Sequence, residues 1–305
     1  MIDLHLHLDG SLTPREVIEL ARLTGVTLPT YREEELFSLL TFDGRGTLND
    51  YLTKFDLPLS VLQTAEGVEY AVRALCERLA EKKYEYAEIR FAPMLHTRRG
   101  ASADDIVKGA VKGLRASRLE AGLLLCCMRG ASNAENLGTV ELAAKYRGEG
   151  VVGVDLAGAE ALYPTENYRE VFALASRLGL NVTIHAGEAA GADSVRAALD
   201  FGARRIGHGV AAAGSEELLK RIVAENVLIE VCPTSNVQTG AVPSLSEHPI
   251  ARFLERGVPV AICSDNMTVS DTDARLEWTK VQAACRLPDT AYEKMLAAAR
   301  LHRFS

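Results

Sequence analysis

Four short motifs of the sequence carry histidine, a carboxylate or both, a combination suited to metal-dependent chemistry. They are His5-Leu-His7-Leu-Asp9, His185-Ala-Gly-Glu188, Gly207-His208-Gly209 and Ser264-Asp265-Asn266. Neutral imidazole nitrogens and a carboxylate oxygen are ligands that Zn²⁺ and Fe²⁺ accept, with a position left for water. Such a metal lowers the pKa of its bound water from about 15.7 towards about 7. The residue types therefore predict metal-assisted hydrolysis.

Each motif stands at the end of a short apolar run that is typical of a buried β-strand. Eight such runs occur, at residues 2–6, 86–91, 123–128, 151–156, 181–185, 205–207, 227–231 and 258–263. Helical patterns lie between them, among others at 102–121, 167–178, 194–201, 215–225 and 249–255. This alternation favours an α/β fold with a parallel sheet and right-handed crossovers. Eight units favour a (β/α)8 TIM barrel, whose active sites lie at the C-terminal mouth.

The two histidines of the first motif point the same way, because the side chains of a strand alternate between its faces. A pair of hydrogen-bonded core histidines would give the same pattern. However, four of the seven histidines lie at predicted strand ends, at one mouth of the barrel. We therefore predict a metal site formed by His5, His7, His185 and Asp265. The fourth strand has no lysine that could be carboxylated to bridge a second metal, so one metal per chain is expected.

Two further residues near these ligands can move protons. Glu188 lies three residues after His185, which suits a general acid or base, although it could instead orient that histidine. His208 could hold or deprotonate the metal-bound water, or serve as a fourth histidine ligand, and the spacing leaves these roles open. No role is assigned to the remaining histidines, His96, His248 and His302.

The composition argues against several classes of protein. With 305 residues, 48% hydrophobic and 25% charged, the chain matches an ordinary soluble globular protein and not a disordered or disulfide-scaffold one. Its 34 basic and 41 acidic side chains give a net charge of −7, so neither nucleic acid nor a membrane is expected as a partner. Six cysteines without a Cys-X-X-Cys pair, and an N-terminus without a signal pattern, predict a cytoplasmic location. No pattern predicts an oligomeric state.

The length fits either two domains of about 150 residues or one large barrel. Because residues from positions 5, 185, 208 and 265 must meet at one metal, we predict a single domain spanning 1–305. Residues 10–85 then form a helical insertion after the first strand. Its segment 48–62 carries an apolar stripe at helical spacing: Tyr51, Leu52, Phe55, Leu59 and Leu62. Such a stripe is typical of core packing, but after strand one it could also form a lid over the mouth.

Seven motifs together resemble the adenosine deaminase family. Four of them are the motifs above, with the first extended to Leu12 and the third to Val210. The other three are Cys127-Met-Arg129, Gly153-Val-Asp-Leu-Ala-Gly158 and Cys232-Pro-Thr-Ser-Asn236. They run in family order from residue 5 to beyond 266, so the resemblance covers essentially the whole chain. It implies a mononuclear zinc (β/α)8 barrel that hydrolyses adenosine or 2′-deoxyadenosine to the inosine form and ammonia. The ligand types also leave Fe²⁺ open as the metal.

The resemblance also implies roles for individual residues. The metal ligands are expected to be His5, His7, His185 and Asp265, with Asp265 also taking part in catalysis. Glu188 is expected to protonate purine N1, and His208 to orient and activate the zinc hydroxide that attacks C6. Substrate contacts are implied for His7, for Asp9 with the ribose 5′-hydroxyl, for the Gly158 backbone with purine N3, and for Asn266 with N7.

Asn266 departs from the commoner family pattern, in which a second Asp donates to purine N7. The Asn amide is also a donor, so activity is expected to remain while the choice of substrate stays open. Relatives deaminate adenine, AMP or larger adenosine derivatives. Asp9 favours a nucleoside, because a carboxylate would repel a 5′-phosphate and no Arg/Lys cluster accompanies the motif. A non-catalytic nucleoside-binding protein is the alternative from another class, and it would not need Glu188.

Overall fold

Eight parallel β-strands form the centre of the computed structural model, which describes residues 1–304. The strands are β1 (Ile2–His7), β2 (Tyr86–Phe91), β3 (Ala121–Met128), β4 (Val151–Ala157), β5 (Thr183–Ala186), β6 (Arg205–His208), β7 (Leu228–Val231) and β8 (Val260–Ile262). Neighbours pair in order from β1 to β4 and from β5 to β8. Single parallel bridges, Val154 to Val182 and Leu6 to Asp265, join the two sheets at both seams. The predicted α/β fold is confirmed.

Fourteen α-helices accompany these strands within the described residues. They are α1 (Pro14–Thr24), α2 (Glu33–Leu40), α3 (Leu48–Leu52), α4 (Asp56–Val61), α5 (Ala65–Glu81), α6 (Ala103–Arg115), α7 (Asn133–Lys145), α8 (Arg169–Arg177), α9 (Ala192–Asp200), α10 (Glu216–Ala224), α11 (Pro233–Gln238), α12 (Ile250–Glu255), α13 (Ala274–Cys285) and α14 (Asp289–His302). The five helices predicted between strands correspond to α6, α8, α9, α10 and α12. The predicted helix over 102–121 is too long, because Ala121 already begins β3.

Local side-chain chemistry explains where several helices begin and why α7 escaped prediction. At the start of α6, Ser102 accepts the N–H of Asp105, and the Asp105 carboxylate accepts the N–H of Ser102. The same capping box, formed by Ser132, begins α7. The buried face of α7 includes Asn136 and Thr139, so the apolar spacing that signals a helix is interrupted there.

Strand β2 shows how the barrel divides its side chains between two faces. Ala87, Ile89 and Phe91 belong to the hydrophobic core that the helices cover. Glu88 and Arg90 alternate with them, are fully buried, and pair with residues of β4, β6 and β7 across the barrel interior. A layer of paired charges therefore lies inside the barrel, beneath its C-terminal mouth.

The long connection between β1 and β2 holds helices α1 to α5. The last of them, α5, packs against α6 and buries an apolar stripe at helical spacing that includes Val68, Val72, Leu75 and Leu79. The short helices α3 and α4 lie at the C-terminal mouth, where they border the cavity described below. None of the helices in residues 1–304 combines the length and the apolar character needed to cross a membrane.

Candidate active site

The four predicted metal ligands converge at the C-terminal mouth of the barrel. His5 and His7 come from β1 and His185 from β5, while Asp265 follows β8. The Nε2 atoms of His7 and His185 are 3.2 Å apart, and Asp265 Oδ1 lies 3.4 Å from Nε2 of both His5 and His7. One donor atom from each residue lies within 4.8 Å of the other three. We call these four residues the ligand set; His208 belongs to a second group of possible donors, with Cys232 and Asp265.

Carboxylates behind two of the histidines determine which ring nitrogen carries the proton. His5 Nδ1 is 2.8 Å from Glu230 Oε2, and His185 Nδ1 is 2.9 Å from Asp155 Oδ2. A carboxylate can only accept, so both Nδ1 atoms carry hydrogen and donate it. The Nε2 atoms of His5 and His185 then carry lone pairs that face the space shared by the four donors.

A divalent metal fits this donor set. His5 Nε2 is buried and has no hydrogen-bond partner among residues 1–304. An orphaned buried acceptor of this kind is costly unless a cation or a proton donor occupies the space beside it. Three imidazole nitrogens and one carboxylate oxygen, with carboxylates orienting two of the rings, are the donors and supporting groups that zinc sites use.

Arg90 links the two carboxylates that orient the histidines. Its Nη1 is 2.9 Å from Asp155 Oδ2, and its Nη2 is 3.0 Å from Glu230 Oε2, with all three side chains fully buried. Burial alone would raise the pKa of each carboxyl. The positive charge of Arg90 and the hydrogen bonds from His185 and His5 outweigh burial, so both pKa values are lowered. One guanidinium therefore fixes the orientation of two candidate ligands.

Glu188 is a buried carboxyl next to the ligand set. Its side chain is 5% exposed, its Oε1 accepts the hydroxyl of Thr239 at 3.0 Å, and its Oε2 lies 3.6 Å from His208 Nε2. Burial, followed by the negative charges of Asp265 and Glu160, raises the pKa of Glu188 to about 8. Glu188 is therefore protonated at neutral pH, which is the form that a general acid needs.

A second buried carboxylate, Glu160, holds the loop that carries Glu188. Its Oε1 accepts the N–H of Gly187 at 2.7 Å and the hydroxyl of Ser194 at 2.5 Å. Its Oε2 accepts the N–H groups of the next three residues, 188–190, at 3.0, 2.7 and 3.1 Å. Four successive backbone N–H groups thus converge on one side chain that is 2% exposed. This carboxylate sets the position of the Glu188 backbone.

His208 lies beside Glu188 in a strained backbone conformation. Its φ is +64° and that of Asp265 is +58°, in the left-handed region that non-glycine residues seldom adopt. Strain of this kind, about 1–3 kcal/mol per residue, persists where the surrounding structure enforces it. The His208 ring is buried, and its Nδ1 lies 2.9 Å from Asn236 Nδ2. Burial lowers the pKa of His208 well below its ordinary value, so the ring is neutral.

The site opens into a cavity of about 280 Å³ whose walls are largely apolar. His7, Asp9, Gly158 and Asn266, the four predicted substrate contacts, all line it. Burial raises the pKa of Asp9 to about 6. Gly158 has a φ of +104°, which glycine alone adopts without strain, and this leaves its backbone open to the cavity. A Cβ on Gly10 would lie 1.8 Å from Asn266 Oδ1, so this position must be glycine for Asn266 to keep its place.

Segment 48–62 forms one wall of the cavity. Four residues of its apolar stripe face the cavity: Tyr51, Leu52, Phe55 and Leu59. The Phe55 ring lies 6.4 Å from the His7 ring, measured between centroids. The fifth stripe residue, Leu62, is fully buried in the core. One end of the stripe therefore packs in the core, while the rest lines the cavity.

All nine predicted site residues lie at this mouth. Eight of them line the cavity, and His5 lies fully buried behind it. The sequence assigned no role to the residues that hold them, although Asp155 and Asn236 lie within quoted motifs: Arg90, Asp155, Glu160, Glu230, Asn236 and His248. A charge within an otherwise apolar strand, such as Glu230 in β7 or Arg90 in β2, is a signal that could have found some of them.

A parallel α/β barrel with histidine and carboxylate donors gathered at its C-terminal mouth defines the class of metal-dependent barrel hydrolases. Within that class, the chain belongs to the adenosine deaminase family, since the family model described as Adenosine deaminase matches residues 1–299. The predicted resemblance is confirmed.

Individual relatives agree with this assignment. An adenosine deaminase from Haemophilus ducreyi is 48% identical over 288 residues, which cover 91% of this chain and 84% of the relative. The crystal structure of an adenine deaminase from Arthrobacter aurescens is similar, with a TM-score of 0.89, 26% identity, and coverage of 100% of this chain and 93% of that one. An N6-methyl-AMP deaminase from Arabidopsis thaliana has a TM-score of 0.86 at 26% identity, with coverage of 100% and 91%.

Proposed function

We propose that this chain hydrolyses the 6-amino group of adenosine and 2′-deoxyadenosine, releasing ammonia and the corresponding inosine. The observation that carries the proposal is the buried Glu188 carboxyl, whose pKa is raised to about 8 chiefly by burial, beside the ligand set at the base of an apolar cavity. Deamination of a purine needs a proton donor at ring nitrogen N1 and an activated water at C6. The family match and the Haemophilus ducreyi relative support this choice among hydrolytic reactions.

In the proposed reaction, Glu188 donates its proton to purine N1, which makes C6 electrophilic. A water molecule adds its oxygen to C6, and ammonia leaves from the same carbon. The water supplies one proton to the ammonia and one that returns Glu188 to its acid form. A pKa of about 8 keeps Glu188 protonated at the start of each cycle at neutral pH. Asp265 and His208, next to Glu188, face the attacking oxygen.

We propose one zinc ion per chain as the resident metal, held by His5, His7, His185 and Asp265. When bound, zinc supplies the Lewis acidity that makes hydroxide available near neutral pH. The protein's part is to hold the four donors ready, with Glu230 and Asp155 keeping two imidazoles in the binding tautomer. Fe²⁺ accepts the same donors and is the alternative metal.

A neutral nucleoside suits the cavity better than a nucleotide. Among the described residues that line it, Arg129 is the only arginine or lysine, while Asp9 and Asp56 contribute carboxylates. Arg129 is already engaged, because it donates to the carbonyl groups of Tyr163 and His185 at 2.7 Å each. A 5′-phosphate would meet negative charge without a free cation. We assign Asp9 to the ribose 5′-hydroxyl, the Gly158 backbone to purine N3 and Asn266 to N7.

We also propose that residues 1–305 act as one domain in which the insertion 10–85 supplies a lid. The position of α3 and α4 along the cavity wall supports this role for segment 48–62. Ligand donors separated by most of the chain, His5 and Asp265, lie 3.4 Å apart, as expected when no domain boundary divides the site.

A substrate panel combined with metal analysis on the same protein sample tests these proposals. Zinc-loaded protein should convert adenosine and 2′-deoxyadenosine with higher kcat/KM than adenine or AMP, and should contain about one zinc per chain, as a single four-donor site requires. Glu188→Gln protein, purified in parallel, controls for deaminases carried over from the expression host. Failure to form inosine and ammonia at high enzyme concentration would refute the activity. Preference for adenine or a 5′-modified adenosine would overturn the substrate assignment alone.

A further inference from the structure

A buried histidine outside the ligand set is connected to His208 through one asparagine side chain. His248, 3% exposed, directly follows a short 3-10 helix, Leu245–Glu247, and its Nε2 lies 3.2 Å from Asn236 Oδ1. Asn236 Nδ2 in turn lies 2.9 Å from His208 Nδ1. At the other end, the backbone N–H of Ile250 donates to His248 Nδ1 at 3.1 Å. These contacts form an unbroken chain of hydrogen bonds from a backbone amide to the site.

The backbone amide fixes the direction of every bond in this chain. An N–H group can only donate, so His248 Nδ1 must accept, and the ring is neutral with its hydrogen on Nε2. His248 Nε2 therefore donates to the oxygen of Asn236. This leaves the Asn236 amide nitrogen facing His208, so Asn236 donates to His208 Nδ1. Because His208 Nδ1 accepts this bond, it carries no hydrogen, and the hydrogen of the ring lies on Nε2.

We propose that Asn236 and His248 are positioning residues that lock His208 in the Nε2–H tautomer. His208 then presents an N–H to the reacting centre and donates a hydrogen bond to the attacking oxygen. It cannot take a proton at Nε2, since that atom already carries one. This inference rests on the proposed deaminase function for its meaning in catalysis, whereas the tautomer itself follows from the geometry.

The chain of bonds is rigid and keeps its protonation state at working pH. The Asn236 backbone N–H donates to Cys232 O at 2.9 Å, and its carbonyl accepts the N–H of Val242 at 3.0 Å, so the asparagine is fixed at both ends. Asn236 is fully buried, which excludes water as a competing partner. Burial lowers the pKa of His248 to about 4, so this ring remains neutral at and above pH 6.

The direct test is ¹⁵N NMR of zinc-loaded protein labelled at histidine. His208 and His248 should each show a non-protonated Nδ1 and a protonated Nε2, and the His208 signals are identified by their loss in His208→Gln. A protonated Nδ1 in His208 would overturn the proposal. This readout does not depend on turnover, so it separates failure of the inference from failure of the proposed activity.

Variants test whether the chain of bonds sets the tautomer. In Asn236→Asp, measured above the pKa of the new carboxyl, the carboxylate can only accept, so a proton must appear on His208 Nδ1. In His248→Phe the asparagine loses its orienting donor, and His208 should populate both tautomers. A His208 Nδ1 that stays non-protonated in Asn236→Asp would refute the mechanism, and this variant decides the question if His248→Phe fails to fold.

Kinetics separate positioning from a merely structural role. His248→Phe should lower kcat by on the order of 10²-fold with KM little affected, because a wrong tautomer impairs the transition state and not binding. His248→Gln keeps a donor towards Asn236 and should recover most of that loss. The matched control is His302→Phe, since His302 is also buried but contacts the carbonyls of Ala298 and Asn226 instead. It should leave the His208 signals and kcat unchanged, and an equal loss of kcat in this control would contradict the proposed role.

Discussion

Replacement of Glu160 by glutamine tests how the protein prepares Glu188 for proton donation. Glutamine has nearly the shape of glutamate but offers one acceptor oxygen and one NH2 group. The Glu160 carboxylate accepts four backbone N–H groups and one hydroxyl, divided between its two oxygens. In Glu160→Gln the NH2 group must therefore face at least one N–H donor.

The loss in the free energy of unfolding depends on which orientation the new amide adopts, and the least costly one sets its size. If its nitrogen takes the place of Oε1, the N–H of Gly187 loses its acceptor, while Ser194 can rotate its hydroxyl to accept instead. An orphaned buried donor costs about 1–3 kcal/mol, and hydrogen bonds to a neutral acceptor are weaker than those to a charged one by roughly 1 kcal/mol each. The removal of a buried charge offsets part of this loss. We expect Glu160→Gln to lower the free energy of unfolding by about 2–4 kcal/mol.

The pH dependence gives a result that destabilisation alone would not produce. The negative charge of Glu160 is one of the causes, after burial and Asp265, that raise the pKa of Glu188 to about 8. In the proposed mechanism Glu188 acts in its protonated form, so activity is expected to fall as pH rises through its pKa. Without the charge at position 160 that pKa is lower, and the alkaline fall in kcat/KM should move to lower pH in the variant.

The assay is the pH profile of kcat/KM for wild type and Glu160→Gln, both loaded with zinc so that the charge of the metal cancels in the comparison. Glu149→Gln is the control, because Glu149 is exposed and, within residues 1–304, forms an ion pair only with the exposed Arg115. Glu149→Gln should leave the pH profile unchanged. Its free energy of unfolding should lie within about 0.5 kcal/mol of the wild-type value. A Glu160→Gln profile that coincides with wild type, or moves to higher pH, would refute the reasoning.

Four further substitutions have defined outcomes. Glu188→Gln should keep the metal, by elemental analysis, but lose about 10²–10⁴-fold in kcat, because the proton donor is gone. Glu230→Gln weakens the hold on His5 Nδ1 and should reduce zinc affinity about 10–100-fold in chelator competition. Asp9→Ala should reduce the ratio of kcat/KM for adenosine over adenine. Asn266→Ala should lower kcat/KM for adenosine by about tenfold through one lost hydrogen bond, whereas an unchanged value would remove Asn266 from the site.

The sequence predicted the strands well because each buried strand is a short apolar run between helical segments. All eight were found, and β2 has the predicted bounds of 86–91. Among the helices that escaped notice, α7, α13 and α14 each include a polar residue in the buried face: Asn136, Glu277 and His302. Their burial depends on partners elsewhere in the fold, and periodicity along the chain does not encode those partners.

The site residues that line the cavity were predictable from the sequence, while the residues that hold them in place were not. Strand ends identified His185, His208 and Asp265, because polar side chains directly after apolar runs stand out. His248 shows the opposite case, since it lies in a loop beside Pro249 and its link to Asn236 is visible only in three dimensions. Glu160 lies two residues past Gly158, outside the predicted motif, and its role depends on a loop 27 to 30 residues further along the chain.

The buried charges beneath the mouth of the barrel have a structural role that explains why they are present despite their desolvation cost. A buried ion pair gains little over apolar packing, because desolvation cancels much of the attraction. Arg90 nevertheless lies between Asp155 and Glu230, and each of these carboxylates also accepts a hydrogen bond from one histidine of the ligand set. Apolar substitutes could fill the same volume but could not fix the hydrogen on Nδ1 of either ring. The charged layer is therefore better explained by the geometry it imposes on the ligands than by any contribution to folding stability.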